Sequence, residues 1–507
     1  MSLLSDDSLE FAKKHIERYY DSDFFPKSQE YSALWHSWDS VKKELSSTNI
    51  SKIFVASPTT STSMKPKGGF RIVQQLDPLS TLVYTALAYT VADAVESKRP
   101  SRELNIACSY RIDLKDGSFF AEGNGFSNYV ENSEFLASTH EYVLSTDITD
   151  FYNQIYLHRL NNAIEFSDSS LSNIANDVEN FLSKLNGKTS QGVPVGPAAS
   201  VVMAEAILID IDEFIINKGL KHTRYVDDYR IFSDNKDELV SVLEDLTLYL
   251  YKNHRLTIAT DKTEITDCST YIEEILHNHY ELEKTEIFKK LEVYNPYSNE
   301  IEELEECITD DVERFGEQMN LISQKILERK YLDLGIARYF LRKSKNYSIS
   351  ESAELIFSNF EFFLPVVNDV FLYLDKVSNE DFVERWKDSI IQLSESSFID
   401  RDLFKIWFEW YISRNVHLLN ISLLRKFIFE KSSINSQSQA AILLKNISWI
   451  RSKKEDLYEV NNKDRLAILR AAQILAKDER DHWLKLTEQT APLPLDRWVA
   501  KWVRETT

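Results

Sequence analysis

The sequence predicts an α+β chain in two parts: a mixed half of short strands and helices over residues 1–275, then an all-helical half over 276–507. Three observations carry this. Nine of the eleven glycines lie at or before Gly219 and none follows Gly335, so the tail has little provision for tight turns or bulged strands. Two apolar stretches in the first half, EYVLSTDI and KHTRYVDDYRIFSD, have the texture of buried strands that end or turn on aspartates. Beyond residue 317, segments of roughly 12–16 residues with 3–4 apolar spacing follow one another across short polar breaks.

In chain order, LEFAKKHIERYY and EYSALWHSWDSVKKEL read as helices separated by FFPKS. KIFVASPTTSTSMKPKGGFRIVQQLD reads as two strands around a Lys/Gly loop. DPLSTLVYTALAYTVADAVES reads as a helix opened by Asp77-Pro78. Residues 105–125 carry no single pattern. EYVLSTDI is a buried strand, FYNQIYLHRLNNAIE the helix after it, and KHTRYVDDYRIFSD a strand–turn–strand hairpin. DELVSVLEDLTLYLYKN is a further helix. A boundary falls between about 270 and 317. Within it, Leu291–Glu317 carries ten acidic residues against one basic, Arg314, the pattern of a solvated face or linker. The tail then reads as helix after helix, from LISQKILERKYLDLGIARYFLRKS to DRLAILRAAQILAKD. That is a HEAT-like stack of hairpins, although no repeat of fixed period runs through it.

Composition narrows the function classes. Three cysteines (Cys108, Cys268, Cys307) without a CxxC pair exclude a disulfide scaffold and a cysteine-rich zinc site, and fit a reducing cytoplasm. The N-terminus lacks a signal-peptide core, and no apolar run is long enough to span a bilayer, so no membrane partner is expected. The formal charge is −21, from 59 Lys+Arg against 80 Asp+Glu. This argues against a chain coated in basic nucleic-acid contacts, but binding depends on local patches rather than on the sum.

Three segments carry the chemistry. The first is Leu144-Ser-Thr-Asp147-Ile-Thr-Asp150-Phe-Tyr152, with Asp147 at the end of a buried strand. The second is Ser190-Gln-Gly192-Val-Pro-Val-Gly196-Pro-Ala-Ala-Ser200, a Gly/Pro cluster before an apolar helix. The third is Tyr225-Val-Asp227-Asp228, at the tip of a hairpin. Carboxylates between apolar strands repel and lose hydration unless a cation neutralises them. Two divalent ions need carboxylates from at least two strands, which Asp147 and Asp227 supply. Oxygen ligands without a His/Cys cluster point to Mg2+, or to Mn2+ in its place. Glycines at 192 and 196 allow backbone to approach a planar or charged ligand. The chemistry is phosphoryl transfer to a hydroxyl nucleophile.

In this order, with separations of 44 and 36 residues between Asp147, Gln191 and Asp227, the segments resemble motifs A, B and C of reverse transcriptases. Lys65-Pro-Lys67-Gly-Gly-Phe-Arg71 is similar to the fingers segment that holds the incoming triphosphate, and Leu256-Thr-Ile-Ala-Thr-Asp-Lys262-Thr263 to motif D. The resemblance covers about residues 50–265 and implies a right-hand polymerase fingers–palm fold ahead of the helical half. It also implies roles. Asp147, Asp227 and Asp228 would be catalytic and bind metal together with the Ile148 backbone carbonyl. Lys65, Lys67, Arg71, Gln191 and Gly192 would bind nucleotide. Tyr152 would stack under the sugar and exclude a 2′-hydroxyl, and Lys262 would protonate the pyrophosphate or act structurally.

No RNase H-like or endonuclease extension, retron element or maturase domain follows the palm. A short fingers–palm unit with a large helical half resembles the bacterial abortive-infection (Abi) reverse transcriptases, and RYVDDYRIF resembles the prophage-borne members. That likeness implies DNA synthesis from dNTPs without a template, primed on a protein tyrosine, so that product DNA is covalently attached to the protein. It implies homo-oligomers and a role in phage resistance with a phage-encoded trigger. Tyr19, Tyr20 and Tyr31 on the N-terminal helices are the priming candidates. Two other readings stay open: a templated RNA-directed DNA polymerase using a partner RNA, and an inactive-palm scaffold whose helical half binds a phage factor.

Overall fold

A computed structural model describes residues 2–20, 24–123, 125–276, 319 and 322–507. The acidic stretch Leu291–Glu317 and most of the expected boundary region lie outside the described residues. The chain divides into two compact units: Met1–Asp21, Lys42–Pro58 and Ser80–Leu304 form one, and Ser22–Val41, Thr59–Leu79 and Glu305–Thr507 the other. This corrects the expectation of a single cut near residue 275, because two N-terminal segments pack with the helical half.

Contacts within the second unit give the reason. Its N-terminal segment meets successive helices in chain order. The Trp407 indole donates to the Phe24 carbonyl at 2.7 Å, Gln29 meets Gln439 at 3.0 Å, and Glu30 pairs with buried Arg470 at 2.7 Å. His36 meets Glu505 at 2.9 Å. Strands β1 (Thr59–Met64) and β2 (Phe70–Gln75) form an antiparallel hairpin that packs on the helix Asp402–Arg414. Gly68 and Gly69, both with positive φ (89° and 76°), close its turn.

Every described element from residue 334 onward is helical, as the lack of glycine predicts. Leu334–Asn346 packs on Val367–Val377, which packs on Asp402–Arg414. That helix meets Ile434–Leu443, which meets Asn462–Ala471, which meets Pro494–Thr506. Several helices that the sequence reads as continuous are broken. At two of the breaks an asparagine or aspartate caps the next helix through its side chain: Asp333 accepts from the Ile336 N–H and Asn446 from the Trp449 N–H. Among the described residues, no single helix is long and apolar enough to cross a membrane.

The first unit is built on a short hairpin, β3 (Ile112–Lys115) with β4 (Ser118–Phe120), and a four-stranded antiparallel sheet. The sheet consists of β5 (Tyr142–Asp147), β6 (Lys221–Tyr225), β7 (Asp228–Ser233) and β8 (Glu264–Asp267), in the order β6-β7-β5-β8. Its register places Asp147 opposite Asp228, so the chain's two acidic strand ends lie side by side. The apolar helix Ala198–Asn217 is buried along most of its length. It carries two acids, Glu205 and Asp212, seven residues apart and so on one face.

Those acids meet a fully buried arginine. Arg224, the residue before the Tyr-Val-Asp-Asp turn, bonds Asp212 at 2.8 and 2.9 Å and Glu205 at 2.8 and 3.2 Å. Arg99 joins the same Glu205 at 2.9 Å, and His222 meets Asp212 at 3.2 Å. Burial alone would lower the Arg224 pKa, but the two carboxylates hold it well above the usual value. Burial would likewise raise that of Asp212, yet Arg224 and His222 hold it down. The two fully buried arginines thus face two fully buried carboxylates, and Arg99 also reaches Glu96 at 3.0 Å, so no buried charge is left uncompensated.

The first helix, Asp6–Tyr19, is fixed to the β3–β4 turn through His15, whose buried ring donates to the Gly117 carbonyl at 2.7 Å among Phe11, Tyr19 and Phe119. Gly117 has φ +82°, and a Cβ there would stand 2.9 Å from Lys14 Cβ, so the turn tolerates no side chain. Burial lowers the His15 pKa from 6.5 to about 4. The unfolded chain therefore takes up a proton that the folded one refuses. The stability His15 contributes is complete above pH about 6.5 and is lost as pH falls towards 4, a term on the order of 3 kcal/mol. Denaturant melts at pH 4.5 and 7 should show this loss in the wild type and a smaller one in His15→Leu. Equal losses in both would contradict the assignment.

Candidate active site

Asp147 ends β5 between two ladders, one to β7 and one to the chain that follows the helix Lys236–Tyr249. The Ala259 N–H donates to the Asp147 carbonyl at 2.8 Å, and the Thr149 N–H to the Thr257 carbonyl at 2.9 Å. That second ladder does not use the Ile148 carbonyl, which leaves it to the other edge, where a metal would be held. The Asp147 side chain is largely buried and receives the Lys262 ammonium at 2.5 Å. Lys262 is placed by a short 3-10 turn, Thr260–Lys262, and by the hydroxyl pair Thr146–Thr263 at 2.9 Å.

Asp227 sits in the β6–β7 turn behind Val226. The backbone of Val226 is left-handed, φ 57°, an unusual state for a β-branched residue that costs on the order of 1–3 kcal/mol. Its N–H donates to the Ser109 hydroxyl at 2.8 Å, and its carbonyl accepts from Arg224 Nη1 at 3.2 Å. Burial, and next the Asp147 carboxylate, push the Asp227 pKa up to about 7.

This electrostatics is the fit test for a metal. Two acids share a poorly hydrated place, with the ammonium of Lys262 as the opposing charge. A divalent cation supplies what they lack, and an all-oxygen donor set suits magnesium or manganese. Asp147, Asp227 and the Ile148 carbonyl fit such an ion.

Asp228 stands opposite Asp147 at the start of β7, and its charge adds to the push on Asp227. Its side chain is 44% exposed and ion-paired with Arg230. Among the described residues, no group of three or more acidic, histidine or cysteine side chains is arranged around one metal position. Arg230, two residues along β7, holds the Asp228 carboxylate.

Motifs A and B are joined directly. The expected helix after Asp147 is broken into Phe151–Gln154 and Leu157–Ser167, and the break pairs with the motif B loop. The Gly192 N–H donates to the Ile155 carbonyl at 2.8 Å, the Val193 N–H to the Tyr152 carbonyl at 2.9 Å, and the Leu157 N–H to the Ser190 carbonyl at 3.0 Å. Gln191 donates to Gln154 Oε1 at 2.7 Å. Gly192 has φ +96° and lies against Asn153, whose carbonyl a Cβ would approach to 3.3 Å. The Ser200 hydroxyl meets Tyr84 at 3.0 Å beneath the loop. Tyr152, Gln191 and Gly192 are thus brought into one assembly with Asp147.

Lys65, Lys67 and Arg71 belong to the second unit, where all three are exposed on the β1–β2 hairpin. Of the priming candidates, Tyr19 and Tyr31 are buried, and Tyr20, which ends the first helix, is partly exposed. Sequence reasoning missed Arg224, Glu205, Asp212, Ser109 and Arg230. Its available signal was an arginine in an apolar strand, matched by two acids two turns apart on an apolar helix.

Residues 65–291 match the family model described as reverse transcriptase (RNA-dependent DNA polymerase). No curated protein sequence matches the chain. Similar solved structures include telomerase from Candida albicans with a fragment of telomeric RNA, at 13% identity and a TM-score of 0.32, covering 76% of this chain and 71% of that one. Apo telomerase from Candida tropicalis is 10% identical at 0.32, with 82% and 76% covered. The Candida tropicalis enzyme with a telomeric RNA fragment is 11% identical at 0.32, with 78% and 70% covered. The matched segment holds Asp147, the Gln191–Gly192 loop and Asp227 in one assembly: the chain carries a reverse-transcriptase domain and is a nucleotidyltransferase of that type.

Proposed function

We propose that the chain is a DNA polymerase of phage defence, joining dNTPs without a template onto a tyrosine hydroxyl of the protein by two-metal-ion nucleotidyl transfer. The observation that carries the chemical part is the pair Asp147 and Asp227, where burial first and the Asp147 carboxylate second raise the Asp227 pKa. Magnesium, when bound, lowers the pKa of the attacking hydroxyl and neutralises charge on the transferred phosphate. The hydroxyl oxygen bonds to the α-phosphorus as the bond to pyrophosphate breaks. In this reading Lys262, which is paired with Asp147 in the free site, gives pyrophosphate a proton, and Tyr152 is the floor for the sugar.

The template-free and defence parts rest on the resemblance to abortive-infection enzymes. What supports them is a helical half in which six helices, from Leu334–Asn346 to Pro494–Thr506, pack one on the next with other helices between, a pattern compatible with a HEAT-like stack. Self-association, a phage-encoded trigger and a cytoplasmic site of action belong to the same reading. Tyr20 is the priming candidate with part of its side chain at the surface.

Purified protein given magnesium and labelled dNTPs, with no template or primer, should retain label on the protein band through a denaturing gel and lose it on proteolysis. Asp227→Ala should reduce incorporation about a thousandfold. Incorporation only after an RNA template and primer are added would replace this reading with templated synthesis. Tyr152→Val should raise ribonucleotide use relative to deoxynucleotide use by about tenfold. Unchanged selectivity would remove Tyr152 from the sugar site.

A further inference from the structure

The strained residue at the centre of the catalytic turn is held from both ends of its own peptide unit. Val226 donates its N–H to the Ser109 hydroxyl and accepts Arg224 Nη1 on its carbonyl. A left-handed β-branched residue persists only where its surroundings fix it. Here the two anchors are fixed by everything around them. Both are fully buried.

Ser109 lies on the segment 106–110, outside the motifs. That segment is tied to β6 by the Arg224 N–H to the Ile106 carbonyl at 2.7 Å and by the Cys108 N–H to the Arg224 carbonyl at 3.2 Å. Arg99 donates to the carbonyls of Ser109 and Tyr110, each at 2.8 Å. Gly125 crosses so close that a Cβ there would stand 2.5 Å from the Cys108 carbonyl oxygen. The Ser109 hydroxyl, having accepted from Val226, turns its own hydrogen to Glu205 Oε1 at 3.4 Å. Glu205 is on the helix that motif B opens and also holds Arg224 and Arg99.

We propose that Ser109 is a positioning residue of the reaction: together with Arg224 it locks Val226 in the left-handed state that sets Asp227 beside Asp147, and so sets the metal affinity of the pair. This deepens the nucleotidyl-transfer reading and rests on it. The arrangement couples motif B to motif C through Glu205 and requires Ser109 to keep both hydroxyl bonds. An alanine removes one buried acceptor and leaves the volume nearly filled. A glycine at 226 removes the strain that the acceptor opposes.

The test compares wild type, Ser109→Ala, Val226→Gly and the double variant. Three readouts serve: Mn2+ affinity by electron paramagnetic resonance, hydrogen exchange over residues 223–230, and incorporation against magnesium concentration. Ser109→Ala should bind Mn2+ about tenfold more weakly, exchange the turn amides about tenfold faster, and need correspondingly more magnesium, with the KM for dNTP changed less than about twofold. Val226→Gly in the Ser109→Ala background should recover part of each loss. Mn2+ affinity and turn exchange within about twofold of wild type in Ser109→Ala would overturn the proposal. If Ser109→Ala does not fold, Ser109→Cys, of similar shape and a weaker acceptor, is judged on the same outcomes. Failure of the wild type to bind Mn2+ or incorporate nucleotide would sink the nucleotidyl-transfer reading instead, while the exchange data still report on the turn.

Discussion

Two acids that repel each other, Asp147 and Asp227, are held together in a place with little water, and the first unit is organised around that repulsion. Left alone, the pair would separate or take up a proton, and the upward push on Asp227 to about 7, from burial first and the Asp147 charge second, records the combined cost. The fold opposes separation by rigid mounting. Asp147 lies between two hydrogen-bonded ladders, and Asp227 lies on a turn whose strained residue is bonded at both its N–H and its carbonyl. The repulsion that makes the site costly to build also makes it a strong site for a divalent cation.

The mounting depends on a second electrostatic arrangement behind the first. Arg224 and Arg99 face Glu205 and Asp212 in the core. Breaking such a cluster from one side would leave an uncompensated buried charge, a loss of about 3–5 kcal/mol. Its members come from the residue just past the helix Pro78–Lys98, the motif B helix and the strand that leads into motif C. The cluster therefore fixes the angle between segments far apart in sequence. Motif A is tied in separately, by the backbone bonds between its broken helix and the Gly192 loop. Three motifs become one rigid piece through two unlike devices, one ionic and one peptide.

Much of this was legible in the residues. The strand ending on Asp147 and the hairpin around Asp227 were read within a residue or two, because apolar runs bounded by turn-forming acids are strong local signals. The helical tail was legible from where glycine stops. What failed was long-range. The helix after Asp147 was read as continuous because Ile155 and Tyr156 suit a helix, and nothing local announced that the motif B loop would pair with that break. Residues 22–41 and 59–79 were assigned to the wrong half, since their partners, Trp407, Gln439 and Arg470, lie hundreds of residues away. The Asp228–Arg230 ion pair went unread because opposite charges two residues apart usually mean only solvated surface.

The central claim is that Asp227 is destabilising in the metal-free fold and is retained because it binds a cation. Melting temperatures of wild type and Asp227→Asn, measured at pH 8 with EDTA and again with Mn2+, test it most directly. The account predicts that Asp227→Asn melts higher than wild type without metal, because one of two facing charges is gone, and that Mn2+ raises the wild type much more than the variant. An Asp227→Asn protein that melts lower without metal, or an equal rise for both with Mn2+, would contradict it.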